Sequence, residues 1–112
     1  MGQATKDSLL RKREVSTREV DLDGTGTVTV RALKRGEVIE IRQAATKNGK
    51  LNEDLVDLFT IARGMVDPQL TPDEVAEWAE QAPAGEPAKV MAAIGEMSGY
   101  LEGADKSGLP GV

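Results

Sequence analysis

The chain contains neither cysteine nor histidine. Without cysteine it has no disulfide, no thiolate metal site and no cysteine nucleophile. Without histidine it lacks the commonest general base and the commonest transition-metal ligand, which excludes most hydrolase triads and most zinc sites. Serines such as Ser8 and Ser98 have no histidine to activate them. We therefore expect a protein that is not an enzyme and that holds no cofactor and no metal.

Aromatic residues and long apolar runs are also scarce. The 112 residues include one Phe, one Trp and one Tyr, so the core has to be built from Val, Leu, Ile, Ala and Met. No apolar run approaches the ~18 residues that span a bilayer, and residues 1–10 lack the apolar region of a secretory signal. The length fits one domain. We expect a cytoplasmic protein with no membrane partner.

Basic residues are scarce in the C-terminal half. From Val66 to Val112 two lysines face nine acidic residues, a charge of −7, whereas Met1 to Glu19 has five basic and three acidic residues, a charge of +2. Duplex binding depends on Lys and Arg that neutralise phosphates, so we expect no nucleic-acid partner. The cluster Arg11-Lys12-Arg13 has no interleaved aromatic residues to stack on bases and is better interpreted as a solvated arm.

The apolar pattern predicts an α+β, mostly α fold, in which an N-terminal β-hairpin is followed by about four helices packed as a small bundle. Alternating residues around Asp23-Gly24 predict a hairpin over 15–32. Apolar residues three and four apart predict helices over about 34–46, 52–66, 72–82 and 87–102. Residues 1–13 are predicted as a disordered basic arm, 14–102 as a single α+β domain and 103–112 as a flexible tail.

Four short sequence signals set the predicted helix boundaries. Asn48-Gly49 is predicted to end the first helix. Asn52 is predicted to cap the second helix and Thr71 the third, where Pro72 takes the first helical position. Asp67-Pro68 is predicted to break the second helix, because the residue before a proline disfavours the α region.

Apparent chemical motifs are better explained as structure. Asp21-x-Asp23-Gly24 is typical of the start of a calcium loop, but the closing position of such a loop is Ala32 here. Gly24-Thr25-Gly26 lacks the spacing of a phosphate-binding loop. Carboxylate pairs such as Glu77 and Glu80 are interpreted as a solvated helix face.

Large apolar side chains on the helices are the candidate functional residues. Trp78 and the methionines fill the core in the simplest interpretation. In the alternative, Met65, Met91 and Met97 line a groove that accepts an apolar helix. The candidate partner-binding residues are Leu55, Phe59, Trp78, Ile94 and Met97.

Several short motifs occur in the order seen in a known family. In chain order they are Val28-Thr29-Val30-Arg31-Ala32-Leu33, Lys34-Arg35-Gly36-Glu37, Val66-Asp67-Pro68-Gln69-Leu70-Thr71-Pro72-Asp73-Glu74-Val75 leading to Trp78, and Ser98-Gly99-Tyr100 with Leu101-Glu102-Gly103-Ala104. This arrangement resembles the tail assembly chaperones of long-tailed bacteriophages, over roughly Glu14 to Lys106. The order and spacing of the motifs carry the resemblance more than any single residue.

The resemblance implies a non-enzymatic assembly factor made in the host cytoplasm. Such proteins bind the tape measure protein, a long helical chain with apolar stripes, and keep it soluble while tail tube protein polymerises around it. In many of these phages the chaperone is also made in a longer, frameshifted form. The low aromatic content predicts weak individual contacts and the use of several copies, so a homo-oligomer is an open alternative.

Two other functions stay open at this point. One is a structural virion protein, such as a small tail or head–tail connector subunit, which the content of purified particles would distinguish. The other is a small regulatory, nucleic-acid-binding protein that uses Arg11 to Arg13 and the hairpin, which a salt-dependent DNA mobility shift would reveal.

Overall fold

The structure, a computed structural model, describes residues 2–12 and 15–99. Within these ranges the elements are α1 Lys6–Leu10, β1 Thr17–Asp21, β2 Thr27–Arg31, α2 Arg35–Ala44, β3 Thr46–Lys47, β4 Lys50–Leu51, α3 Glu53–Gly64, β5 Met65–Asp67, α4 Pro72–Gln81 and α5 Gly85–Ser98. In the part of the chain that the structure describes, no helix has the length and apolar character needed to cross a bilayer. The predicted tail, 103–112, and the end of the last predicted helix lie outside the described residues.

The predicted fold class, α+β and mostly α with a four-helix bundle, is wrong. The described residues form a mixed α/β fold with five helices and five strands in two small sheets, and 53% of these residues are helical. The main sheet has the strand order β1-β2-β5, and both neighbouring pairs are antiparallel. The helices therefore pack on a sheet and on each other, since α5 contacts β1 and β2 while α3 contacts α4 and α5.

The first hairpin forms where the sequence predicts it. β1 and β2 pair with Val20 opposite Val28. Asp23 and Gly24 have φ values of 44° and 84° in the connection, a left-handed conformation that Asp and Gly adopt at lowest cost. The Asp21 carboxylate accepts a hydrogen bond of 3.0 Å from the Asp23 backbone N–H, which supports the turn.

The second sheet replaces a predicted helix end. Asn48 and Gly49 both have positive φ, 53° and 76°, and they connect β3 to β4. Two consecutive left-handed residues are what a tight antiparallel hairpin requires. The helix predicted over 34–46 therefore ends at Ala44, and Asn48-Gly49 forms the turn of a hairpin instead of a helix terminus.

The third strand of the main sheet lies where the sequence predicts the end of a helix. The helix predicted over 52–66 ends at Gly64, and β5 begins at the next residue. Met65 pairs with Val30 across the sheet, and the register shifts before Asp67 pairs with Thr29. Pairing with a distant strand, rather than the following proline, therefore ends this helix.

Two predicted helix caps are confirmed. The Asn52 side chain accepts a hydrogen bond of 3.2 Å from the Leu55 N–H at the start of α3. At the start of α4, Thr71 and Glu74 exchange two hydrogen bonds between side chain and backbone, which is a capping box. These caps fix the residues at which α3 and α4 begin.

The core lies between the main sheet and the three C-terminal helices. Its largest completely buried side chains are Val30 from β2, Val75 from α4, and Val90 and Ile94 from α5. α3 and α5 pack closely at Gly64. A β-carbon added at Gly64 would lie only 2.6 Å from Ile94 Cδ1. The absence of a side chain at Gly64 thus makes room for the Ile94 side chain.

The N-terminal arm, predicted as disordered over 1–13, contains the short helix α1. A capping box between Thr5 and Ser8 starts this helix. None of its five residues is buried. α1 therefore owes little to the core of the domain.

Candidate partner-binding surfaces

Among the depressions on the surface of the described residues, three concern the candidate residues or the helix faces, and each of the three lies between different elements. The hairpin groove lies between the β1–β2 connection and α4 and contains Trp78. The α2–α3 cleft contains Phe59. The alanine groove lies between α3, α4 and α5 and has a volume of about 710 Å³.

The hairpin groove presents the only tryptophan at the surface. The Trp78 side chain is half-buried and packs against the core, and Leu22 and Val28 of the hairpin face it across the groove. Its Nε1–H donates a hydrogen bond of 3.2 Å to Glu86 Oε1. Glu86 Oε2 accepts a second hydrogen bond, of 2.7 Å, from the Thr25 hydroxyl. Glu86 thus fixes the indole and links α5 to the hairpin turn.

The α2–α3 cleft combines an apolar floor with an ion-pair network. Phe59 and Ile41 line it, and Leu70 and Met65 belong to both this cleft and the hairpin groove. Phe59 and Trp78 therefore lie in adjacent depressions that share the Leu70 side chain.

The ion pairs beside this cleft centre on Glu37. Arg31 donates to both Glu37 oxygens, over 2.9 Å and 2.6 Å, in a two-pronged arrangement. Arg63 lies 3.7 Å from Glu37 and 2.8 Å from Glu40. The hydrogen bonds from Arg31, with that from the Lys34 backbone N–H and the positive charges of Arg31 and Arg63, lower the pKa of Glu37 to about 2 against the opposing effect of burial. Glu37 also raises the pKa of Arg31.

We expect this network to make the fold sensitive to acid. The pKa of Glu37 is lowered in the folded state, so its contribution is complete above the unfolded pKa of about 4.3 and is lost as pH falls towards 2. Glu37→Gln should lower the free energy of unfolding by about 1–2 kcal/mol at pH 7, and the difference from the wild type should shrink between about pH 5 and pH 2. Urea unfolding at a series of pH values measures both effects.

Glu40→Gln is the control for this prediction. Glu40 also pairs with Arg63, but its side chain is 64% exposed, so its loss should change stability by only a few tenths of a kcal/mol, about the value of surface pairs. Equal effects of the two substitutions at every pH would contradict the central position of Glu37.

The alanine groove is apolar at its floor and acidic at its rim. Leu58, Ile61 and Met91 form much of the floor. Asp54, Asp57 and Glu80 line the rim, and no Lys or Arg of the described chain lines it. Burial, together with the negative charges of Asp54 and Glu53, raises the pKa of Asp57. The rim is therefore short of positive charge.

The candidate residues are not brought together into one site. Trp78 and Phe59 occupy adjacent depressions, Leu55 is half-buried near the start of α3, and Met97 is half-buried on α5 against the core. Ile94 is 0% exposed, so it belongs to the core and not to a binding surface.

The three methionines that the alternative interpretation places in one groove also lie apart. Met65 is buried, while Met91 lines the alanine groove and Met97 does not. The three side chains therefore do not form one surface.

Leu70 is a surface residue that the sequence reasoning missed. It stands immediately before the N-cap Thr71 and packs against the core, while Val75, four positions into α4, is completely buried. An apolar residue before the cap that packs on the fourth helical residue is a hydrophobic staple. That pattern was available in the sequence and would have placed Leu70 beside α4.

The described residues include no group of three or more Asp or Glu side chains arranged to hold a metal ion. Comparison of the chain with protein-family models, with curated proteins and with solved structures finds no match.

Proposed function

We propose that this chain is a tail assembly chaperone of a long-tailed bacteriophage, which acts in the host cytoplasm without entering the virion. It binds the tape measure protein through apolar surface and keeps that helical chain soluble, with the tail tube protein as a second partner. The order of motifs from Val28 to Ala104 supports this assignment. The observation that carries it is the half-buried Trp78 at an open apolar groove, next to the cleft that contains Phe59.

The hairpin groove has the properties needed to hold one apolar stripe of a helix. Such binding places side chains three and four residues apart in a hydrophobic groove. An indole fixed by Glu86 supplies a rigid anchor, and aromatic anchors of this kind carry a large share of interface energy. Two exposed acidic residues of α4, Glu74 and Glu77, line the groove and give it negative charge. That charge opposes self-association of the complex and favours its solubility.

Co-expression tests the proposed function. The full chain is produced together with the long helical protein encoded beside it, and the soluble, co-purifying fraction of that protein is measured. We expect the helical protein to be soluble only in the presence of this chain. Its insolubility in both cases, or recovery of this chain from purified virions, would reject the chaperone assignment.

Trp78→Ala tests the hairpin groove. Loss of an aromatic anchor should weaken binding of the helical partner by about 2 kcal/mol, roughly thirty-fold in Kd. Gln81→Trp tests the same surface without changing the core, because Gln81 is exposed and lines the groove. The added ring should obstruct the groove and also weaken binding.

Ile39→Ala is the matched control, since Ile39 is half-buried on α2 and lines neither aromatic depression. Circular dichroism checks that each variant is folded. If the partner is captured equally well by all three variants, it binds elsewhere on the chain and the hairpin groove is not its site.

A further inference from the structure

Helix α4 borders a second groove with a face that does not carry Trp78. Ala76, Ala79 and Glu80 are three and four residues apart, so they share one face of α4, and all three line the alanine groove. Trp78 lines the hairpin groove instead. Among the described residues, no side chain lines both grooves. The alanine groove is therefore a separate surface, which can take a ligand of its own.

The floor of the alanine groove suits a helix. Five of its lining residues are alanines, from Ala76 on α4 to Ala92 on α5. Small side chains at a contact let two helices pack at a short distance, because the side chains between them set the separation of their axes. Leu58 and Met91 are only half-buried, so an occupant of the groove would remove more of their apolar surface from water.

The carboxylates at the rim have no partners of opposite charge. Asp54, Asp57 and Glu80 are all exposed, and none of them takes part in an ion pair with a described residue. Burial, and the negative charges of Asp54 and Glu53, raise the pKa of Asp57. A cation placed at this rim would therefore relieve an unfavourable interaction between like charges.

These properties specify the chemistry of the occupant. The apolar floor requires aliphatic side chains, and the unpaired carboxylates of the rim require Lys or Arg beside them. An amphipathic helix supplies both, since apolar residues three and four apart form one stripe and basic residues flank it. Nucleic acid and anionic lipid carry phosphate groups, which this rim would repel.

We propose that the alanine groove binds a basic amphipathic helix of a partner protein. Its aliphatic stripe lies on Leu58 and Met91, and its Lys or Arg side chains pair with Asp54, Asp57 and Glu80. This inference goes beyond the proposed function, because it concerns a surface distinct from the hairpin groove and holds whatever binds beside Trp78.

Two synthetic peptides test the charge requirement. Each has about 20 residues, which exceeds the length at which isolated helices are marginal. Both carry the same stripe of leucine and alanine, and the other positions are lysine in one peptide and glutamate in the other. We expect the full chain to bind the lysine peptide about tenfold or more tightly than the glutamate peptide at low salt, and the difference to shrink as salt rises. Fluorescence anisotropy of labelled peptide measures both. Equal affinities, or no binding of the lysine peptide, would overturn the proposal.

A pair of substitutions distinguishes the rim from the overall negative charge of the chain. Asp57→Asn with Glu80→Gln should weaken binding of the lysine peptide about fivefold, the value of two exposed ion pairs. The control is Glu19→Gln with Asp67→Asn, which changes the net charge equally at exposed positions of the main sheet. An equal loss in both variants would show that the peptide responds only to net charge and would overturn the proposal.

Engineered cysteines locate the bound peptide, because the chain has no native cysteine. A lysine peptide with one cysteine in its apolar stripe is incubated under mild oxidation with Ala88→Cys, Gln81→Cys or Gln43→Cys. All three positions are exposed; Ala88 lines the alanine groove, Gln81 lines the hairpin groove and Gln43 lines neither. We expect the mixed disulfide to form about tenfold faster at Ala88→Cys than at the other two. Fastest reaction at Gln81→Cys, or equal rates at all three, would overturn the proposal.

Obstruction of the groove separates a partner helix from a second copy of this chain. Ala88→Trp should abolish binding of the lysine peptide, whereas Gln43→Trp should leave it unchanged, with circular dichroism as the check that both are folded. Self-association of the wild-type chain in sedimentation velocity that Ala88→Trp removes would assign the groove to a second copy and overturn the proposal. None of these outcomes alters the co-expression result or the effect of Trp78→Ala, so the two proposals fail separately.

Discussion

Gly64→Ala should lower the free energy of unfolding by about 1–3 kcal/mol, the usual cost of added volume in a packed core. The new β-carbon would lie 2.6 Å from Ile94 Cδ1, 3.0 Å from its Cγ1 and 3.1 Å from its Cγ2. Rotation about χ2 could move only the first of these atoms. The other two are bonded to Cβ, and a β-branched side chain in a helix has essentially one χ1 rotamer. Urea unfolding followed by circular dichroism measures the change.

Gly36→Ala is the control for Gly64→Ala. Gly36 lies in α2, and a β-carbon added there meets no atom within 4 Å. Alanine in a helix is favoured over glycine by roughly 0.5–1 kcal/mol, so Gly36→Ala should be neutral or stabilising. If Gly64→Ala behaved in the same way, the close packing of α3 on α5 at this point would be contradicted.

Ile94→Ala should have the larger effect, a loss of about 2–5 kcal/mol, which is the range for truncation of a completely buried aliphatic side chain. Ile94 is 0% exposed and lies in the centre of the core, so its removal leaves a cavity that α3 and the sheet can fill only in part. Ile39→Ala, at a half-buried position of α2 outside the core cluster, should cost less than half as much. Thermal or urea unfolding measures both.

The effects of Gly64→Ala and Ile94→Ala on stability should be coupled, since both substitutions change the same contact. With Ile94→Ala in place, the β-carbon of Gly64→Ala meets no isoleucine and fills part of the cavity. The double variant should therefore lose less stability than the sum of the single variants, by about 1 kcal/mol. If the Ile94→Ala chain were stable and fully folded but no longer bound the helical partner protein, Ile94 would instead belong to the binding surface.

The local features of this fold could be predicted from the sequence, because short-range chemistry determines them. Asp23-Gly24 specifies a turn that requires positive φ, and Asn52 and Thr71 carry side-chain oxygens that satisfy the first backbone N–H groups of α3 and α4. The same reasoning misassigned Asn48-Gly49, since this pair suits both a helix end and a hairpin turn. The two-residue strands β3 and β4 are too short to show alternation.

β5 could not be predicted from local pattern. Ala62 and Val66 continue the four-residue spacing of α3, so the apolar period extends through a segment that the structure pairs with β2. The pairing of Met65 with Val30 joins residues far apart in the sequence, and no helical or strand period within one segment encodes it. This one strand accounts for much of the error in fold class.

Only part of the candidate binding surface could be predicted from the sequence, for a related reason. An apolar stripe shows which side chains leave water, but it does not show whether they face the core or a partner. Ile94 and Met97 lie on the same predicted stripe, yet the first is completely buried and the second only half-buried. Trp78 could be singled out because it is the only tryptophan, whereas its fixation by Glu86 depends on the tertiary fold.

The single tryptophan at the hairpin groove gives the molecule an optical property. Because the chain has a single indole and that ring is partly exposed at the groove, nearly all of its near-ultraviolet emission originates at the hairpin groove. An apolar guest that displaces water from the ring would shift this emission to shorter wavelength. Occupancy of the groove can thus be followed in real time on the unlabelled protein.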